Sequence, residues 1–323
     1  MSRGGAWGPS PTFFVKNDPL KVGVLCGGRS SERAVSLRSG RAVAEGLKRA
    51  GFRVRRIDPK NSRQTRTLLR QIDLAFIALH GHGGEDGSIQ KRLTALEIPY
   101  TGSGERGSHL AFHKVEAKKI FDRLKIPTPE WTVVDRKNWK RLSGFPAPFF
   151  VKPVADGSSI GVFLVEDFRQ SAVKIIHALG RYRELLVERQ IEGREFTVGI
   201  LGRKALPVIE LRPKGSFYDY RCKYTRGMTD YLVPAPIPEA WRRRFQRLAG
   251  QVHRALGLRD LSRVDLVTDS KGRPYVLEAN TIPGFTELSL LPKAAKEAGI
   301  SFEGLCEKLV KLAWSRAKSN GKA

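Results

Sequence analysis

Arg263-Val264-Asp265 and Glu278-Ala279-Asn280 flank a turn at Asp269-Ser270-Lys271-Gly272, and their types and spacing suit chemistry. Successive strand side chains point to opposite faces, so Arg263 and Asp265 share one face of the first segment, and Glu278 and Asn280 one face of the second. The alternate positions, Val264 and Leu266, then Tyr275, Leu277 and Ala279, read as apolar faces. An antiparallel hairpin pairing Val267 roughly with Pro274 predicts Asp265 diagonally across from Glu278. Two carboxylates and an amide are hard oxygen ligands that leave coordination positions open, as magnesium carrying nucleotide phosphates requires, and Arg263 would neutralise further charge. The chemistry would then be phosphoryl transfer. An ordinary hairpin with a solvated polar face has the same pattern, and these strands alone leave both readings open.

Further groups bear on the choice. The loop Asp156-Gly157-Ser158-Ser159-Ile160-Gly161 has glycines that permit close backbone approach, and amides and hydroxyls that donate to phosphate oxygens, although such loops are commonly only turns. Lys152 in the preceding strand and Lys114 at a helix start are compact cations that bracket it. Tyr218-Asp219-Tyr220-Arg221-Cys222-Lys223-Tyr224 is too polar and aromatic for a core strand, and reads either as an active-site lid or as a solvated loop with aromatic anchors. His80 and His82 have metal-like spacing but no third soft ligand nearby, so His80 is read as a substrate-loop residue rather than a zinc ligand.

The elements that must position these groups follow from periodicity and punctuation. Residues 1–19, rich in Gly, Pro and Ser, read as a flexible leader. Lys21 to Leu25 is an apolar strand entering Gly27-Gly28, with Ser30-Ser31-Glu32 expected to cap a helix. A second strand, Leu74 to Leu79, ends in the loop His80 to Gly87, so a small parallel α/β domain with ligand loops at strand ends is expected over 20–102. A helix from Lys114 to Leu124, strands at Trp131 to Val134, Phe149 to Val154, Val162 to Val165 and Leu185 to Gln190 define a central domain, 103–188. Strands at Glu195 to Leu201 and Ala205 to Leu211, the polar hairpin, and helices near Leu291 to Ala298 and Phe302 to Ala317 define a third, 189–323.

Composition narrows the class. With 323 residues and 41% hydrophobic content the chain can bury a large core. No apolar run approaches the roughly 18 residues of a membrane span, and no secretory signal pattern opens the sequence, so the expected address is the cytoplasm. The three cysteines, Cys26, Cys222 and Cys306, show no paired metal spacing. A net charge of +26 is an electrostatic signature of nucleic-acid binding, but the cations are spread along the chain without a recognised motif or interleaved stacking aromatics. A basic surface around a site for anionic ligands accounts for them.

Taken together, Gly27-Gly28-Arg29-Ser30-Ser31-Glu32, the His80 to Gly87 loop, Tyr100-Thr101-Gly102-Ser103-Gly104, Val151-Lys152-Pro153, Gly157-Ser158-Ser159, Glu195-Phe196-Thr197-Val198, Phe217-Tyr218-Asp219-Tyr220, Lys223-Tyr224 and Leu277-Glu278-Ala279-Asn280 closely resemble, in order, the D-alanine:D-alanine ligases of the ATP-grasp superfamily. The resemblance runs from about residue 20 to about residue 315. It implies a three-domain ATP-grasp α/β fold with an N-terminal Rossmann-like parallel domain, and ATP gripped between the central and C-terminal domains. It implies ligation of two D-alanines through an acyl phosphate, for peptidoglycan. Asp265, Glu278 and Asn280 would hold two magnesium ions, with manganese as a substitute. Arg263 and the Gly284 amide would hold the tetrahedral oxyanion. Glu32 would bind the first ammonium and join Ser158 and Tyr224 in a set that locks the lid. Glu188, the backbone of Gln190 and Ile191, and Glu195 match adenine and ribose contacts; Lys114, Lys152, Lys223, Phe217 and Leu277 complete the nucleotide set. Val35, His80, Ser289 and Leu290 fall on the substrate side. Family members are commonly homodimers. Tyr224 at the lid favours D-alanine as nucleophile over D-lactate.

Departures from the pattern are Ala34, His113 before Lys114, Asp156 in the phosphate loop, and Glu287-Leu288 beside Ser289. The last pair leaves room for an altered second substrate such as D-serine or another small amine. A basic nucleic-acid-binding protein on a lapsed ligase scaffold is the alternative from another class.

Overall fold

The computed structural model describes residues 19–60, 62–157, 159–214, 225, 227–319 and 321, and for 62–64 the backbone alone. The leader as far as residue 18 therefore lies outside the described residues.

Three sheets follow one another along the chain. The first is parallel, in the order β2-β1-β3, from β1 (Lys21–Leu25), β2 (Arg53–Ile57) and β3 (Leu74–Ile77). Helix α1 (Arg33–Arg49) crosses between β1 and β2. It lies so close to the end of β1 that a Cβ on Gly40 would stand 2.2 Å from the Cys26 Cβ, so Gly40→Ala would force helix and strand apart. The expected cap is corrected here. Glu32 is the N-cap and makes no side-chain cap bond, while the Ser30 hydroxyl donates to the His80 carbonyl at 2.7 Å. That bond ties the start of α1 to the loop after β3 instead. Strand β2 carries Arg53, Arg55 and Arg56 on the sheet edge, and the lack of an apolar run hid it from the sequence reading.

After α2 (Ser62–Leu69), α3 (Ser88–Ala95) and α4 (Glu105–Phe112), helix α5 (Lys114–Arg123) leads into the second sheet. His113 caps α5, its Nδ1 accepting from the Glu116 N–H at 3.4 Å. The second sheet is antiparallel, in the order β4-β7-β5-β6, from β4 (Trp131–Val134), β5 (Phe149–Pro153), β6 (Phe163–Val165) and β7 (Leu185–Arg189). Its apolar face packs on α6 (Phe168–Arg181) through Phe149, Val151, Ile175 and Leu179.

The third sheet, antiparallel in the order β10-β9-β8-β11-β12, is built from β8 (Glu195–Leu201), β9 (Lys204–Pro213), β10 (Thr229–Leu232), β11 (Leu261–Thr268) and β12 (Pro274–Asn280). Helix α7 (Glu239–Ala255) covers one face by burying Phe245, Leu248, Ala249 and Val252. The basic run Arg242 to Arg247 is thus largely the wet side of an amphipathic helix, with Arg242 and Arg243 both paired to Glu239. Helix α8 (Leu290–Glu297) packs on β8 and β9 of the third sheet, and α9 (Phe302–Ser319) on α1 and β3 of the first, where Phe76 and Phe285 meet edge to face at 5.5 Å. Each such fully buried side chain contributes about 2 kcal/mol, so the first and third sheets are held by a shared core. Among the described residues no helix is long and apolar enough to cross a membrane.

Candidate active site

Strand β11 and its neighbour at the sheet edge, β12, present the third sheet's polar face. Arg263 lies opposite Asn280, Asp265 opposite Glu278 and Thr268 opposite Pro274, with Leu277 as an extra residue between the Asp265 and Leu266 pairs. Two expectations are corrected. Thr268, not Val267, faces Pro274, and the bulge brings Asp265 directly opposite Glu278 rather than diagonal to it. The bulge also changes which β12 side chains are apolar-facing: Val276 and Ala279 enter the core, whereas Tyr275 and Leu277 stay partly exposed. Leu277 lines a cleft beside Glu278.

Asp265 is held from several sides. Arg263 donates to both its oxygens, Nε at 2.9 Å and Nη2 at 2.7 Å. The Thr197 hydroxyl donates to Oδ1 at 2.6 Å and the Asn280 amide to Oδ2 at 3.1 Å. Arg263, Asp265 and Asn280 therefore converge as the strand alternation requires. Thr197, inside a quoted motif, was missed as a participant because a threonine in a strand more often signals only β propensity.

The cleft lies between the second and third sheets. Lys152 and Glu188 from the second sheet face Glu195, Leu277 and Asp265 from the third, with Ile191 in the connection. Glu188 is 1% exposed and forms ion pairs with Lys152 and with Lys118 of α5. Lys114 reaches the Asp156 carbonyl at 2.5 Å. The Gln190 N–H donates to the Pro148 carbonyl at 3.0 Å, and Gln190 does not line the cleft. Phe217 and Lys223 lie outside the described residues.

A cavity of about 1030 Å³ adjoins the cleft and shares Lys114, Asp156, Gly157 and Glu278 with it. Glu32, Val35 and His80 line it from the first sheet's loops and α1, and Arg263, Gly284, Ser289 and Leu290 from the third. Glu32, 7% exposed, stands between two glycines: a Cβ on Gly157 would lie 2.5 Å from its Oε2, and one on Gly81, at φ +68°, 2.7 Å. The phosphate-loop glycine thus rests against the Glu32 carboxylate. Ser158 and Tyr224, expected to join Glu32, lie outside the described residues. The Ser289 hydroxyl is bonded to the Thr286 N–H at 3.0 Å and hydroxyl at 2.9 Å.

The comparisons with known proteins agree with this geometry. Residues 55–103 match the family model described as D-ala D-ala ligase N-terminus, and residues 120–311 match D-ala D-ala ligase C-terminus. The D-alanine:D-alanine ligases of Syntrophotalea carbinolica and Pelotomaculum thermopropionicum are each 44% identical to the chain, covering 90% and 91% of it and 95% and 96% of themselves. The chain belongs to the D-alanine:D-alanine ligase family. A crystal structure of the Bacillus anthracis ligase complexed with ATP superposes with a TM-score of 0.83 at 31% identity, covering 94% of this chain and 100% of that one. The mixed α/β fold is therefore that of the ATP-grasp ligases.

Within this family frame the electrostatics of the cavity are specific. His80 is neutral: burial pulls its imidazole down to about 4, and its ring is bonded to the Ile282 backbone and, at 3.1 Å, to the Ser39 hydroxyl. Ser39 also accepts from the Phe285 N–H at 3.2 Å, so His80 and Ser39 brace the segment that carries Gly284. Glu85 is a cavity residue that the sequence reading did not single out from its loop. Burial, with the nearby Glu32 charge, pushes its carboxyl up to about 8, while the Gly81 N–H donates to it at 3.0 Å. Among the described residues no cluster of three or more His, Cys, Asp or Glu side chains is assembled for a metal. The facing carboxylates of Asp265 and Glu278 with the Asn280 amide are instead an all-oxygen set that fits magnesium.

Proposed function

We propose that this protein joins two D-alanines to D-alanyl-D-alanine for peptidoglycan precursor synthesis, through D-alanyl phosphate, with release of ADP and phosphate. One observation carries the reading: the cleft and the cavity share a wall at Lys114, Gly157 and Glu278, so a nucleotide in the first would meet a carboxylate in the second. Phosphoryl transfer depends mainly on positioning and charge neutralisation, and this junction supplies both.

In this reading ATP lies between the second and third sheets. Glu188, Glu195 and the backbone of Ile191 hold adenine and ribose, with Leu277 and Phe217 beside the base. Lys114, Lys152 and Lys223 face the phosphates. Two magnesium ions, or manganese, held by Asp265, Glu278 and Asn280 would neutralise phosphate charge. Glu32 takes the ammonium of the first D-alanine beside Val35 and His80. The carboxylate oxygen of this first D-alanine attacks the γ-phosphorus, and the bond between that phosphorus and the leaving ADP oxygen breaks. The amine of the second D-alanine, its carboxylate at Ser289 and Leu290, then attacks the acyl carbon. Arg263 and the Gly284 amide hold the oxyanion. Phosphate leaves with the original carboxylate oxygen and takes up the proton that the amine nitrogen gives up on forming the amide. Ser158 and Tyr224 close the lid with Glu32, excluding water from the acyl phosphate.

The domain boundaries near residues 103 and 189, a homodimer and a cytoplasmic address belong to the same reading, by family resemblance. A second reading, altered second-substrate choice, is favoured by one observation: Leu288 lines the cavity mouth at 79% exposure, beside Glu287, which is directed toward Arg49 at 3.8 Å. Incubation with magnesium, ATP and D-alanine, alone or mixed with D-serine, tests both. The dipeptide D-alanyl-D-alanine as the main product, with L-alanine inert, supports the first; a mixed D-alanyl-D-serine product would shift the weight to the second, and no product would sink both.

A further inference from the structure

Lys118 has no surface role. Its ammonium is 1% exposed, and it forms a charged contact with Glu188, also 1% exposed, from the side opposite Lys152, which is 14% exposed and faces the cleft. Burial pulls Lys118 below its usual value, against the pull of Glu188. Burial would raise Glu188, but the two ammonium groups outweigh it and hold the carboxyl below its usual range. Asp122 adds only a smaller attraction to Lys118. Two cations thus share one anion in a site of low polarity. The surplus positive charge lies on Lys152, where an anionic ligand can meet it.

Lys118 also reaches across to the third sheet. It donates to the Thr128 hydroxyl, which donates to the Val276 carbonyl at 2.7 Å, and the Val276 N–H donates to the Pro127 carbonyl at 2.8 Å. Val276 immediately precedes the bulged Leu277, so one buried ammonium touches the strand that supplies Glu188 and, through Thr128, the strand that supplies Leu277 and Glu278.

We propose that Lys118 is a positioning residue of the nucleotide cleft: it balances the Glu188 charge from behind, leaving the Lys152 ammonium to the phosphates of ATP. The proposal rests on ATP occupying this cleft. Without Lys118, Glu188 would have Lys152 as its one close counter-ion among the described residues and would compete with phosphate for it.

The test uses the full-length enzyme and four forms: wild type, Lys118→Met, Glu188→Gln and the double variant, each checked by thermal melting. Binding of magnesium ATP by calorimetry and the KM values for ATP and D-alanine are the readouts. Lys118→Met should raise the ATP KM about tenfold or more and leave the D-alanine KM within about twofold, a split that general loosening of the fold does not produce. In the Glu188→Gln background the same substitution should change the ATP KM by less than about threefold, because the charge it balances is already gone. An unchanged ATP KM in Lys118→Met, or effects that multiply in the double variant, would overturn the inference. Should Lys118→Met alone not fold, the double variant, which leaves no buried unpaired charge, decides by the same comparison with Glu188→Gln. A folded wild type that does not bind ATP would instead overturn the nucleotide reading beneath it.

Discussion

Asp265 and Glu278 face each other across β11 and β12 because a single bulged residue, Leu277, shifts the register between the Asp265 and Leu266 pairs. Asp265 is fixed by Arg263, Thr197 and Asn280, so its position does not depend on a chance rotamer. Asp265→Asn and Glu278→Gln should each lower kcat/KM by about a hundredfold or more and raise the magnesium needed for half-maximal rate, with melting temperature little changed. Near-normal turnover in both would remove the metal assignment.

The contact between Gly157 and Glu32 makes a separate prediction. A methyl group on Gly157 would occupy space 2.5 Å from the Glu32 Oε2, so Gly157→Ala must displace either the phosphate loop or the carboxylate. Its D-alanine KM should rise about tenfold or more, while the protein stays folded, since both groups belong to the cavity wall rather than to a core. An unchanged D-alanine KM would show that Glu32 does not set the first substrate's position.

Much of this was legible in the sequence, for identifiable reasons. Strands such as Lys21–Leu25, Trp131–Val134 and Glu195–Leu201 are apolar runs closed by Gly, Pro or charged residues, and they appear with the expected bounds. The edge strand Arg53–Ile57 escaped because its arginines carry no hydrophobic period. The hairpin was recognised but its register was not, since a bulge leaves no compositional mark at Leu277. Lys118 and Glu85 escaped for another reason: a single charged residue in a helix or loop reads as solvated, and only the packing shows Lys118 buried and Glu85 half-buried near Glu32.

Stability should have a maximum near pH 6.5 as far as His80, His253 and the half-buried Glu85 control it. His80 and His253 both have values lowered by burial to about 4 from an ordinary 6.5. Between those values the unfolded chain takes up protons that the fold refuses, so their contribution is complete above pH 6.5 and declines as pH falls toward 4. Glu85 has the opposite sign. Its carboxyl is raised to about 8 from 4.5, so its contribution is complete below 4.5 and is lost as pH rises through 8. Each group tilts the curve by at most about 1.4 kcal/mol per pH unit. Denaturant melts from pH 4.5 to 8.5 should show Glu85→Gln flattening the alkaline limb and His253→Gln flattening the acid limb; identical curves for wild type and both variants would contradict the assignment.

The measurement that bears most directly on the proposed reaction follows oxygen. With D-alanine carrying ¹⁸O in its carboxylate, the account predicts one labelled oxygen in each phosphate released from ATP, formed together with one ADP and one D-alanyl-D-alanine. The label enters phosphate because the carboxylate oxygen that attacks the γ-phosphorus departs with it when the second amine attacks the acyl carbon. Phosphate released without the label would contradict the acyl phosphate route and, with it, the roles given to Glu32, Arg263 and Gly284.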